Sequence, residues 1–154
     1  MNNILLGAIS GFAATAVMTG AMELMFRRLP RSEQYPLPPR EITMRIAQQS
    51  GIERSLDEQQ RVAATLAAHF AFGAGAGALY PAFAEKLKVP PAVTGIAYGV
   101  AVWIVSYLGW IPALKILKPA TAHPFRRNAL MIAAHVVWGV ATGLMSDRLK
   151  TGRM

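Results

Sequence analysis

Residues 62–83 read VAATLAAHFAFGAGAGALYPAF and contain no Asp, Glu, Lys or Arg. A helix that crosses a bilayer needs about 20 predominantly apolar residues. The stretch has that length, and its one imidazole is His69. The glycine string GAGAG at 73–77 superficially suggests a phosphate-cradling loop. Such a loop must follow a strand and open a helix, whereas this string lies within the apolar run. The segment therefore reads as a membrane-spanning helix with a close-packing edge.

Working outward, three more runs are nearly free of charge: Ile4–Phe26, Val89–Leu114 and Asn128–Ser146. The composition agrees: 53% of the 154 residues are hydrophobic and 16% charged, where soluble domains carry about a quarter charged. The expected fold is all-α. It is an integral membrane four-helix bundle in one domain, 1–154, with helices over about 4–26, 62–83, 91–112 and 126–146. The first run is expected to be a span rather than a signal peptide, because MNN supplies no positive n-region. The chain has no cysteine, which excludes disulfides, thiolate metal sites and thiol catalysis.

The formal charge of +8 fits basic loops on a membrane protein and calls for no nucleic acid. Seven Lys/Arg lie between Arg27 and Arg61, and four between Lys115 and Arg127. The other loops and the termini carry five. The positive-inside rule then places loops 27–61 and 115–127 in the cytoplasm. The implied setting is a bacterial cytoplasmic membrane, multi-pass, with the lipid bilayer as surroundings.

The first connector, 27–56, contains PLPPREITMRIAQQSG. Pro39 suits a first helical position, and Gly51 is a stop signal. A short surface helix is expected over 39–50, with Ile42 and Ile46 on one face. SLDE (55–58) matches a capping box, with Ser55 capping Glu58. The third span opens after Pro90-Pro91 and is interrupted near Pro112. The fourth opens near Pro124, and 147–154 is expected to be a flexible tail.

The second and fourth spans match at an offset of 66 residues. LAAHFAFGAGAGAL (66–79) lies over IAAHVVWGVATGLM (132–145). His69, Gly73 and Gly77 meet His135, Gly139 and Gly143, and Arg61 meets Arg127. The first and third spans match more weakly, GAISG (7–11) over GIAYG (95–99). This implies two repeated hairpins of one orientation. Residues four apart share a helix face, so each histidine heads a glycine stripe. Gly7, Gly11, Thr15, Thr19 and Glu23 form a third stripe, expected to face the interior. With both arginines at the membrane surface, both histidines lie roughly 12 Å deep.

Ionisable residues within a membrane are site candidates by default, and several readings compete. The histidines can be a neutral, hydrogen-bonded structural pair. They can be axial ligands of a b-type haem in an electron-transfer subunit, with Trp138 and Phe72 against the ring. Glu23 and the histidines can relay protons in a small transporter. Two histidines alone are too few for a stable metal site, with only Glu23 as a third ligand. His123, before a proline, reads as an exposed or capping residue. No GxSxG, HExxH or paired-carboxylate motif points to hydrolysis, so no catalytic residue is assigned.

The sequence resembles the YagU-type family of small bacterial inner-membrane proteins. The resemblance rests on PLPPR (36–40) after the first span, AAHFAF (67–72), and AAHVVWG (133–139) in the last span. It implies the four-span layout, marks Arg40, His69 and His135, and supplies no reaction. The expected role is a non-enzymatic binding or accessory protein, alone, as a homo-oligomer or with a membrane-protein partner.

Overall fold

The computed structural model describes residues 2–85 and 87–152. It is all-helical among those residues. The elements are α1 (Asn3–Phe26), a short α2 (Pro38–Gln49), α3 (Glu58–Ala84), α4 (Pro91–Ala113) and α5 (Phe125–Thr151). All but α2 are long and apolar enough to cross a membrane. Large apolar side chains such as Ile4, Phe12, Leu24, Leu79 and Val105 are exposed, as a hydrocarbon surround favours and water does not.

Local chemistry sets the helix ends. The Asn2 side chain accepts from the Ile4 amide at 3.0 Å and starts α1. The capping box of α3 is formed by Asp57 and Gln60, not by Ser55 and Glu58. The Asp57 carboxylate accepts from the Gln60 amide at 2.8 Å, and the Gln60 side chain accepts from the Asp57 amide at 2.9 Å. Ser55 instead donates to Ile52 O, and Glu58 pairs with Arg40. The better cap, two residues closer to the apolar run, wins. Pro91 opens α4 and Pro124 precedes α5. Of the tail expected over 147–154, residues 147–151 continue α5 and Gly152, in the left-handed conformation, closes it, while 153–154 lie outside the described residues.

α1 packs on α3 and α4 on α5, while the α1–α5 contact joins the two hairpins. α3 and α4 barely meet. The hairpins close through glycine. A β-carbon on Gly7 would strike Gly77 O, and one on Gly11 would strike Gly73 O. In the second hairpin Gly95 abuts Gly139 O, Gly99 abuts His135 O, and Gly143 abuts Pro91 O. Close backbone approach of this kind replaces the hydrophobic driving force that lipid removes. Gly11 therefore occupies the place that Gly95 has in the other hairpin. The GAISG/GIAYG register is displaced from this pairing by one turn.

The α1 stripe does not run straight. A step of four residues overshoots a full turn by about 40°. Gly7, Gly11 and Thr15 are buried, Thr19 is half-buried and Glu23 is exposed. Burial drifts instead through Ala14, Met18 and Met22. These residues join Tyr98, Tyr107, Ile111, Met131 and Trp138 in the core.

α4 changes winding at Val105–Trp110, which is π-helical. Pro112 follows and has no N–H to give to the preceding turn. Wider winding over the turn before it accommodates that loss, and such segments often mark functional sites.

Candidate functional site

The gap between α3 and α4 is a cavity of about 250 Å³. α1 and α5 supply its floor through Thr15, Met18, Met131 and Trp138. α2 covers it with Pro39, Ile42, Thr43 and Ile46. The narrow apolar stripe of the short helix thus has a definite partner. His69 comes from α3 and His135 from α5, and both line this one cavity. The glycine pairing fixes the His135 backbone, because Gly99 lies directly against it.

The two imidazoles differ. His135 is only 5% exposed, and its Nδ1 lies 2.7 Å from Met131 O. A carbonyl can only accept, so Nδ1 carries the hydrogen. In the neutral ring that leaves Nε2 with a lone pair. Tyr107 meets this ring edge-on, with centroids 5.8 Å apart. His69 is less enclosed, yet its Nε2 is buried without a partner. A buried polar atom left unpaired costs about 1–3 kcal/mol.

Four aromatic side chains complete the wall: Phe72, Tyr107, Trp110 and Trp138. Phe72 and Trp138 follow from their helix positions beside the histidines. Ser106, Tyr107, Trp110 and Ile111 do not, since the π-helical turn rotates them to the cavity. The signal available for them was the proline at 112.

The other marked residues lie elsewhere. Glu23 pairs with Arg27 at 2.9 Å on an exposed face, so it neither shares the cavity nor completes a relay or a metal site. Among the described residues no group of three His, Cys, Asp or Glu comes together. Gly77, Gly139 and Gly143 serve helix packing, and Gly73 is pressed against Thr15 and Gly11. A porphyrin face does not fit against these glycine stripes, because the glycines already hold neighbouring backbones and Thr15.

The arginines organise the connector. Arg40 makes a two-pronged bond to Glu58, at 2.7 and 2.8 Å, tying α2 to the start of α3. The Glu58 carboxylate raises the Arg40 pKa further, chiefly through this hydrogen bond. Arg61 donates to Leu56 O and Glu53 O and pairs with the Glu53 carboxylate. Arg127 is buried and donates to Glu33 O, Tyr35 O and Pro36 O. Arg61 and Arg127 therefore do the same work, each holding connector carbonyls over the bundle end. His123 caps no helix through its side chain and lines an open groove beside Glu41.

No curated protein and no solved structure matches this chain. One family profile does, over residues 12–144, a range that takes in every cavity-lining residue. The chain belongs to the DUF1440 family, described as proteins of unknown function.

Proposed function

We propose that this protein is a non-enzymatic binding protein of the bacterial cytoplasmic membrane, and that the cavity under α2 is its ligand site. The carrying observation is one largely apolar cavity into which two helices each bring an imidazole. Ligand sites are typically apolar with a few placed polar groups. At about 250 Å³, this one suits a small molecule.

The setting rests on charge. The two basic connectors meet at one end of the bundle, where Arg127 holds residues 33–36 and Arg126 approaches Glu33 at 3.9 Å. That end faces the cytoplasm by the positive-inside rule. The YagU-type resemblance supports the same setting. The matched glycine pairings of the two hairpins support a repeat of one hairpin. α3 is the least covered of the four long helices, and its free side would face lipid, a second copy or a membrane-protein partner.

Tryptophan reports on the cavity. Trp110 and Trp138 line it and Trp103 does not. Titration of ¹⁵N-labelled protein in mild detergent with 1-methylnaphthalene should shift the indole signals of Trp110 and Trp138 saturably and leave Trp103 in place. Unmoved signals from both cavity tryptophans would overturn the reading.

A further inference from the structure

We infer that the cavity selects a planar ring compound bearing a hydroxyl group, a phenol or hydroquinone in chemical class. This rests on the reading of the cavity as a ligand site. Size comes first. An apolar cavity of about 150 Å³ holds benzene, so about 250 Å³ takes two fused rings. Shape comes next. Phe72, Tyr107, Trp110 and Trp138 offer aromatic faces and edges, against which flat rings pack well.

The hydrogen-bonding inventory then sets the functional group. The Thr15 hydroxyl donates to Gly11 O, and the Thr43 hydroxyl to Pro39 O. Trp138 Nε1 donates to Gly11 O, and Trp110 Nε1 to Ser106 Oγ. These donors are committed to the chain. The Ser106 and Tyr107 hydroxyls can give or take a bond and favour neither kind of ligand. His135 Nε2 is different, because the bond from Nδ1 to Met131 O fixes it as an acceptor. It needs a ligand that donates. A hydroxyl does so, whereas a quinone or ether oxygen does not.

Two probes of one shape separate the possibilities: 1-naphthol and 1-methylnaphthalene. Both are titrated into the ¹⁵N-labelled protein and into His135→Phe, in the same detergent. Comparing the ratio of half-saturation concentrations between the two proteins cancels the partition of each probe into micelles. The expected ratio favours naphthol by about tenfold more in the unmodified protein than in the variant, as one buried hydrogen bond predicts. In the unmodified protein, naphthol should also move the His135 Nε2 nitrogen resonance and methylnaphthalene should not. That second measurement holds even if the variant fails to fold. Equal ratios with an unmoved Nε2 overturn the hydroxyl inference and leave cavity binding standing. Failure of both probes to move Trp110 and Trp138 overturns both.

Discussion

The Arg127 guanidinium lies 3.6 Å from the centroid of the Tyr35 ring while it donates to three backbone carbonyls of residues 33–36. A positive charge buried at a membrane surface is costly unless paired. Here three carbonyl dipoles and one aromatic face stabilise it. The connector gains a fixed course in return, and α2 follows directly from it at Pro38.

Arg127→Ala should therefore destabilise the protein by about 3 kcal/mol or more, because it strands buried carbonyls as well as losing charged hydrogen bonds. Arg127→Lys should recover little, since an ammonium lacks the planar fork and the stacking surface. Thermal unfolding in detergent reads both, with a fall in Tm of roughly 10 °C for the alanine variant. Equal stability of the lysine variant and the parent would refute the fork's role.

Glycines in the same helix should diverge. A side chain at Gly11 meets the Gly73 carbonyl and the Gly77 backbone, whereas one at Gly20 meets nothing within 4 Å. Gly11→Leu should force α1 and α3 apart, at a cost of more than about 3 kcal/mol for overpacking. Gly20→Ala should stabilise by about 0.5–1 kcal/mol through helix propensity. The two Tm shifts, measured side by side, must have opposite signs.

These contrasts show what was legible in the chain. The four long helices could be read because charge-free runs of about 20 residues have few other uses. The meeting of His69 and His135 at one cavity followed from their matched depth on parallel helices. Glu23 was misplaced because a spacing of four drifts around a helix, and over four steps the drift carries it to the opposite side. Arg127 looked like a surface marker, since nothing in FRRNAL distinguishes the buried arginine from its exposed neighbour Arg126. The π-helical turn is a response of α4 to Pro112 and to packing against α5, so local pattern alone could not place Tyr107.

Glu41 predicts a pH dependence. Burial pushes its carboxyl above the ordinary range, against the pull of the Arg127 and His123 charges. The folded state then holds the proton more tightly than the unfolded chain. The associated stability is fully present below the unfolded pKa and is lost as pH rises through the folded one. Glu41→Gln keeps the neutral form at every pH. It should match the parent below about pH 4 and exceed it at neutral pH by less than about 1 kcal/mol, since the group is only partly buried. A variant less stable than the parent at neutral pH would show that the Arg127 attraction outweighs burial.

The two histidines should respond oppositely to the same substitution. His69 buries Nε2 without a partner, so the protein without ligand bears the cost of desolvating it. His69→Phe removes that polar atom in a less enclosed site, where the larger ring has room, and should raise stability by roughly 1 kcal/mol. His135 spends Nδ1 on Met131 O and sits edge-on to Tyr107 in a well-packed site. His135→Phe loses that bond and adds bulk beside Gly99, and should lower stability by about 1–2 kcal/mol. Sites that bind ligands commonly hold groups that weaken the empty fold. A gain at position 69 together with weaker naphthol binding would identify its imidazole as such a group. Unchanged stability and unchanged binding in His69→Phe would show that its Nε2 finds a partner within the bilayer and takes no part in the site.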